Sequence, residues 1–492
     1  MEVKFNKIQL PCLRPVVSQL QSREETLELR LPDGMPDIGR VLGCWGQVLL
    51  RSKEWHDTSA AANAGVMAWV LYAPEDGTDP RIVEGWIPVQ SRWEFPEESR
   101  EGMLTVQPWL SGLDGRNVSA RKLMLRAEVS MMGSGMKSGK AEISISTDLP
   151  EDIRLLKKVY PMELPAEQGE KQVTLDEPIP FSGENIQKIV SYQMTPRIIE
   201  QKVLANRLLF KGKLQLHLNY LSEDGRFHPW ATEIPFSHYT ELDRDYDPNT
   251  QVCLMPVLTA SELNMEDGSL QMKAGIAVQY TVFDQTMVEV IEDAYSPHRK
   301  LELERDALYL PAKLDSRILS VPVQGSADGE FSKILDGSSI VRQPYSSDNE
   351  LVVDGQTQLT YLNADNELRS DMFNWNGRTD FEVDPDTRVE LWPLGETEMD
   401  AVSHGDAASM RGELSVMVNI YTGMPIPMVS GMNIGEILEA DPNRPSVILR
   451  RAGEDDLWEL AKKTGSTVED ILKANHLTGE PEAGRLLLIP IL

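Results

Sequence analysis

Residues 446–492 read SVILRRAGEDDLWELAKKTGSTVEDILKANHLTGEPEAGRLLLIPIL, and this stretch decides the fold of the last part of the sequence. The apolar runs at 447–449 and 486–489 are typical of short strands. Two apolar stripes at helical spacing lie between them: Leu457, Leu460 and Ala461, then Val468, Ile471 and Leu472. The segment is therefore predicted to fold as strand, helix, helix, strand.

Both predicted helices carry start signals. Asp456 stands at the N-cap position of the first helix with Glu459 three residues later, and Thr467 with Asp470 repeats the pattern for the second. Gly465 can adopt the left-handed conformation that ends a helix. The two helices are thus expected to begin directly after Asp456 and Thr467.

This order of elements resembles the LysM family, with 457–461 opening the first helix and 467–472 opening the second. The family's closing pattern, Pro-Gly-x-x-Leu-x-Ile-Pro, is matched at 484–490, with Ala483 in place of the proline. The resemblance implies a βααβ fold. It also implies a groove between the loop before helix 1 and the loop after helix 2, which usually binds N-acetylglucosamine glycans such as peptidoglycan or chitin.

The first loop departs from the family pattern. Members usually read Gly-Asp-Thr-Leu-Trp, whereas the aligned residues here are Glu-Asp-Asp-Leu-Trp at 454–458. Glu454 adds a side chain where backbone and sugar approach closely, which favours a protein ligand. Trp458 is interpreted either as a core aromatic or as an interface anchor. The predicted docking or glycan-binding surface comprises Glu454, Asp455, Asp456, Leu457, Trp458, Leu477, Thr478 and Gly479.

The composition and net charge exclude some classes of function. The 492 residues are 41% hydrophobic and 25% charged, as in ordinary globular protein, and carry a formal net charge of −29. Almost all of this charge lies before residue 446. A field of that sign repels nucleic acid and anionic lipid, so neither nucleic-acid binding nor membrane insertion is expected.

The sequence also suggests a reducing compartment. Its first residues, MEVKFNKIQLPC, lack the apolar core of a signal peptide, and no run reaches the ~18 apolar residues of a membrane span. Cys12, Cys44 and Cys253 are too few and scattered for a disulfide framework. A cytoplasmic location is expected.

A Tyr-x-x-x-Asp-Gly/Asn element occurs three times before residue 446. Its tyrosines, Tyr72, Tyr220 and Tyr361, are 148 and 141 residues apart, and each element lies between β-like runs, a strong hairpin signal. Further landmarks keep the same offsets: the prolines Pro108, Pro256 and Pro393, and the late strands at 126–129, 273–276 and 411–414. Alternation such as Leu214, Leu216 and Leu218 is typical of antiparallel strands.

The predicted fold is mainly β. Three repeated antiparallel domains, sandwich-like or barrel-like, are expected at 1–150, 151–315 and 316–440, followed after a short link at 440–445 by the LysM-like domain at 446–492. A helix at Gly183–Val190 is one candidate to interrupt the strands.

This layout resembles the SipL-like spore coat assembly proteins of endospore formers, which carry SPOCS (DUF3794) domains ahead of a LysM. The second copy matches best, at 210–214, 220–225 and 233–237. The resemblance implies a non-enzymatic adaptor in the mother-cell cytoplasm, recruited to the forespore surface or spore coat. Its partners would be the coat-morphogenetic ATPase or other coat proteins. Peptidoglycan binding through the LysM groove is the alternative.

No catalytic or cofactor motif is complete. The glycine-rich run at 132–141 has Ser134 and Ala141 where a phosphate-binding loop needs glycine and a hydroxyl, so it is predicted to be a hairpin tip. Residues 243–247 begin like a calcium loop but place Pro248 where glycine is required. They are predicted to be an acidic turn, leaving open weak calcium binding by another geometry. No zinc-binding pair of histidines or cysteines is recognised, and neither a cofactor nor an enzyme activity is expected.

Overall fold

The computed structural model describes residues 2–145, 149–266, 269–308, 310, 312–382, 388–394, 399–404, 406–422, 425–438, 444–453 and 455–492. Over these ranges the chain is mainly β, as predicted, with 24 strands and two short helices. The strands are β1 (Glu2–Lys4), β2 (Lys7–Arg30), β3 (Ile38–His56), β4 (Ser59–Pro74), β5 (Arg81–Glu94), β6 (Met103–Ser119), β7 (Lys122–Ser144), β8 (Arg154–Ile179), β9 (Ile186–Ser222), β10 (Phe227–Tyr246), β11 (Gln251–Glu266), β12 (Ser269–Tyr295), β13 (Arg299–Leu308), β14 (Ala312–Asp328), β15 (Lys333–Val341), β16 (Tyr345–Ser347), β17 (Glu350–Leu362), β18 (Leu368–Asp380), β19 (Arg388–Pro393), β20 (Met399–Ser403), β21 (Ala407–Thr422), β22 (Ile426–Ile437), β23 (Val447–Arg451) and β24 (Leu486–Pro490). The helices are α1 (Leu457–Thr464) and α2 (Val468–Ala474).

One strand order recurs along the chain. In the antiparallel orders β2-β7-β6, β8-β12-β11 and β14-β21-β19, the first strand of each group lies beside its last. The last strand also pairs with an earlier strand of the group, which is β6, β11 or β19. The intervening strands form the β3-β4-β5 sheet, the β9-β10 sheet and the β15-β17-β18 part of an eight-stranded sheet. Every pairing is antiparallel where register is defined.

Strand β9 is long because it folds back on itself. Lys211 forms an ion pair with Glu200 at 2.8 Å, and a Cβ on Gly212 would lie 2.5 Å from the carbonyl oxygen of Arg197. Ala205, between these two halves, has a positive φ of 52°. The two halves therefore run side by side and together occupy the place that β3 and β4 fill in the first group.

The three predicted hairpins are confirmed. They connect β4 to β5, β9 to β10 and β17 to β18, and the tyrosine near the end of each first strand pairs with a residue near the start of the next. The turn residues have positive φ: 75° at Gly77, 75° at Gly225 and 60° at Asn366. Glycine and asparagine tolerate this conformation, which explains why one of them follows the aspartate in each copy of the motif.

Two local predictions are wrong. Residues 132–141 are no hairpin tip but lie inside β7, where a Cβ on Gly133 would come within 2.6 Å of the buried Trp93 ring. Glycine therefore makes room for an aromatic ring. The helix predicted at Gly183–Val190 is absent, since β9 begins at Ile186. The β-branched residues of this eight-residue window suit a strand as well, and spacing alone does not separate the two.

The hydrophobic core runs across the predicted domain boundaries. Trp45, Trp69 and Leu71 belong to the same buried cluster as Phe210 and Leu216 from strand β9. Pro108, Pro256 and Pro393 line one small cavity of about 100 Å³. The three prolines that the sequence placed at equivalent positions thus meet around a common point.

A sheet that the sequence did not predict gathers distant segments. Strand β22 pairs with β13 on one side and with β1 on the other, bringing Glu2–Lys4 beside Ile426–Ile437. Its residues Val429 and Met432 pack with Ile291 near the end of β12. The end of β12 and strand β13 lie beside the carboxyl-terminal helices.

Candidate functional site

The carboxyl-terminal unit, residues 446–492, has the predicted element order. Strands β23 and β24 pair antiparallel, with Leu449 opposite Leu488, and α1 and α2 lie between them in sequence. Its caps are those that the sequence predicted. Asp456 accepts a hydrogen bond from Glu459 N at 2.8 Å, and Thr467 Oγ1 accepts one from Asp470 N at 3.1 Å. Gly465 ends α1 with φ 68°.

The core of the carboxyl-terminal unit takes in a side chain from outside it. Leu457, Leu460 and Ile471 are buried together with Tyr295, the last residue of β12. The Tyr295 hydroxyl donates to the carbonyl oxygen of Ser466 at 3.1 Å. Burial raises the pKa of Tyr295 to about 12, so this phenol remains a donor at neutral pH. The unit is therefore packed onto the end of β12.

Asp293 forms the polar half of this contact, which we call the seam (Asp293, Tyr295, Arg305, Trp458, Lys462). Its Oδ2 accepts from Trp458 Nε1 at 3.0 Å and from Lys462 Nζ at 2.5 Å, while Oδ1 accepts from Arg305 at 2.5 Å. The Trp458 ring also meets Tyr295 edge-on, with centroids 4.7 Å apart. One carboxylate thus joins α1, β12 and β13.

The seam carboxylate is ionised at neutral pH. Burial acts to raise the pKa of Asp293, but hydrogen bonds from Lys462, Trp458 and Arg305 outweigh it and hold the pKa below its usual value. Asp293 is only 6% exposed. A buried carboxylate with three donors stabilises the contact as long as it stays charged.

The structure divides the predicted binding residues into two groups. Four lie exposed on the loops that flank the helices: Asp455, Asp456, Thr478 and Gly479. Leu457 is buried and Leu477 half-buried in the core of the unit, and Trp458 is half-buried at the seam. Glu454 lies outside the described residues. The indole nitrogen of Trp458 is thus already engaged by Asp293 within the chain.

Sequence reasoning missed Glu480, which contacts the start of α1. Its carboxylate accepts from the backbone N–H of Leu457, at 3.3 Å to Oε1 and 3.2 Å to Oε2. This contact ties the loop after α2 to the start of α1, where a helix presents positive partial charge. Its signal in the sequence is weak, because the two residues are 23 positions apart and belong to no shared motif.

The described part of the chain before the carboxyl-terminal unit, residues 2–438, is called the body here, and it has clefts of its own. The cleft beside Ile199 and Ile318 has a volume of about 680 Å³. Among the described residues that line this cleft, the single carboxylate is Glu200, which is paired with Lys211. The acidic turn predicted at 243–247 is wrong for its first four residues, since Asp243–Tyr246 are the end of β10. The turn follows the strand, and there Asp247 Oδ1 accepts from Asn249 N at 2.8 Å. This oxygen is used in closing the turn.

Comparison with known families matches part of the chain. Residues 185–266 match the family model described as SipL, SPOCS domain, and this range contains all of β9, β10 and β11. The match supports a SipL-like family for this part of the chain. No curated protein and no solved structure matches the sequence. None of the described helices is long and apolar enough to cross a membrane.

Proposed function

We propose that this protein is a non-enzymatic adaptor in spore coat assembly. The observation that carries the proposal is the SPOCS match at 185–266, which lies on the hairpin-bearing strands β9 to β11. The adaptor works in the mother-cell cytoplasm and is recruited to the forespore surface. There it binds the coat-morphogenetic ATPase or other coat proteins.

The body consists, in this proposal, of three SPOCS-like domains at 1–150, 151–315 and 316–440. Three features support the assignment: the recurring strand order, the hairpins with left-handed turn residues, and the prolines gathered around one cavity. Their packing into shared clusters makes the body a rigid acidic scaffold. A scaffold of this kind suits an adaptor because it fixes the position of the unit that it carries.

The carboxyl-terminal unit is the docking module, and it acts as a LysM-type domain that holds a protein. Its exposed loops, with Asp455, Asp456, Thr478 and Gly479, form the docking face. Glu480 supports a protein ligand over a glycan, because its carboxylate already takes the backbone N–H of Leu457 in the groove. The seam fixes the direction in which this face points.

The test compares two arginine substitutions in binding to purified coat-morphogenetic ATPase. Thr478→Arg changes the docking face, and Ala364→Arg makes the same change in charge on the exposed hairpin between β17 and β18. We expect Thr478→Arg to weaken binding about tenfold, or ~1.4 kcal/mol, with Ala364→Arg unchanged. Trp458 variants are less informative here, since they also disturb the seam.

A sedimentation assay with purified peptidoglycan is the second arm. Retention of the wild-type chain on peptidoglycan, with no binding to the ATPase, would assign the groove to a glycan and overturn the adaptor proposal. Equal weakening by both arginine variants would remove Thr478 from the docking face.

A further inference from the structure

Three potential metal ligands converge beside the second hairpin. Glu184 lies in the loop that enters β9, Asp224 in the turn between β9 and β10, and His228 at the start of β10. One ligand atom from each lies within 4.8 Å of the other two. The three residues are contributed by two separate stretches of chain, so no short sequence motif reveals them.

The surrounding structure holds the imidazole and the loop in place. The ring of Tyr220 stacks on His228 with centroids 5.4 Å apart, and its hydroxyl accepts from Glu184 N at 3.1 Å. Phe181 packs edge-on against both Tyr220 and Trp230, at 5.4 and 5.1 Å. The ligands therefore rest on an ordered aromatic support.

The free nitrogen of His228 has the surroundings of a ligand atom. Nε2 is shielded from solvent and makes no hydrogen bond, although Glu184 Oε2 is 3.4 Å away. Two ligands at 2.0–2.2 Å from a tetrahedral ion are separated by roughly 3.4 Å. The spacing thus suits two atoms that share an ion better than a hydrogen-bonded pair.

The other two hairpins provide an internal comparison. The residue paired with the hairpin tyrosine is Arg81 opposite Tyr72 and Arg369 opposite Tyr361, but His228 opposite Tyr220. A guanidinium is a permanent cation and cannot bind a metal, whereas a neutral imidazole is a common ligand. The second hairpin thus has a potential metal ligand, beside two carboxylates, where the other two hairpins have a permanent cation.

The carboxylate of Asp224 is exposed and lies beside His228. Its Oδ1 accepts from Ser222 Oγ at 2.5 Å and from the backbone N–H of Arg226 at 3.4 Å. Arg226 Nε lies 3.0 Å from Asp224 Oδ2, but its side chain is 75% exposed, so an ion can displace it at small cost.

We propose that Glu184, Asp224 and His228 bind one divalent transition-metal ion of the zinc class. One imidazole and two carboxylates provide three ligands, and water completes a tetrahedral shell. The ion fastens the loop before β9 to the β9–β10 hairpin. This site is independent of the proposed docking function.

Calorimetric titration of the chelator-treated full chain with zinc tests the site. The key variant is His228→Arg, because arginine occupies the same hairpin position in the other two copies and the fold accommodates it there. The matched control is His298→Arg, which changes an exposed histidine elsewhere. We expect one equivalent of zinc to bind to the wild type and the control, and at least tenfold weaker binding to His228→Arg.

Cobalt substitution adds a spectroscopic measurement. The wild type should show the visible absorption of four-coordinate cobalt, and Glu184→Gln should weaken or shift it. Absence of stoichiometric zinc binding would overturn the proposal in favour of a simple His228–Glu184 ion pair. Zinc binding that is unchanged by His228→Arg would place the ion elsewhere and overturn it equally.

Discussion

The β body and the carboxyl-terminal unit differ in where their stability comes from. In the body, Trp69 and Leu216, 147 positions apart, share one buried cluster, and long strands carry that core across the predicted domains. The unit at 446–492 has a small core of its own and takes in Tyr295 from the body. A unit as short as residues 446–492 buries few apolar groups. The body is therefore expected to be stable by itself, and the unit to depend on the seam.

The largest expected effect tests the stability of the body. Trp93 is fully buried against Gly133, and its Nε1 donates to the carbonyl oxygen of Gln19 at 2.8 Å. Trp93→Ala should lower the free energy of unfolding by about 3–5 kcal/mol, since it leaves a large cavity. Urea denaturation followed by circular dichroism measures this. A change below ~1 kcal/mol would contradict the tight packing described for this core.

The next effect tests the dependence of the unit on the body. Asp293→Ala removes the acceptor of three donors and should weaken the seam by about 2–3 kcal/mol. The loss is no larger because Lys462 and Arg305 remain partly solvated. Hydrogen exchange of peptides from 457–474 should then be faster. Asp336→Ala is the control: Asp336 is equally buried but contacts His217 and Asn219 in the body. Equal exchange in both variants would show that the unit does not need the seam.

The pH dependence of the seam follows from the same carboxylate. Because the folded pKa of Asp293 is lowered, its stabilisation is present above the unfolded value of about 3.9 and is lost as pH falls through the folded pKa. The protection of 457–474 against exchange, taken relative to the intrinsic exchange rate at each pH, should therefore fall below about pH 4. Asp293→Asn should lose this pH dependence. Loosening of the seam when the pH is raised from 5 to 7 would contradict the expected pH dependence.

A smaller effect separates the two interactions of Trp458. Trp458→Phe keeps an aromatic ring against Tyr295 but removes the N–H that donates to Asp293. The loss should be about 1–2 kcal/mol of seam stability, less than for Trp458→Ala. The exchange rates of α1 in the two variants measure the difference. Identical rates would mean that ring contact contributes nothing.

The smallest effect concerns the unit alone. Asp456→Ala removes the N-cap of α1 and should cost ~1 kcal/mol. Asp455→Ala is the matched control, because the Asp455 carboxylate forms an exposed pair with Lys463 and should change stability by less than ~0.5 kcal/mol. Thermal unfolding of the carboxyl-terminal unit within the full chain distinguishes them. A larger effect of the control would contradict the assigned cap.

Features that depend on neighbouring residues were predicted correctly from the sequence. The caps at Asp456 and Thr467 and the turn at Gly225 each involve residues within four positions, so the pattern contains the whole interaction. Strand alternation predicted the mainly β fold for the same reason. The seam could not be predicted, because Asp293 and Trp458 are 165 positions apart and meet only after both parts have folded.

The errors have the same origin. The glycine-rich run at 132–141 looks like a turn by composition, yet Trp93 from another strand requires the glycine there. The apolar spacing at 183–190 fits a helix, yet Val190 is fully buried in a core shared with Trp69. In both cases the segment packs in a core with residues that are distant in the sequence, and no local pattern records this packing.

The most direct test of the central claim is a binding measurement with and without the carboxyl-terminal unit. The full chain and a chain ending at residue 438 are titrated against purified coat-morphogenetic ATPase. The adaptor account predicts that the full chain binds and that the shortened body, still folded by circular dichroism, loses binding at least tenfold. Equal affinity of the two chains would contradict the claim that residues 446–492 are the docking module.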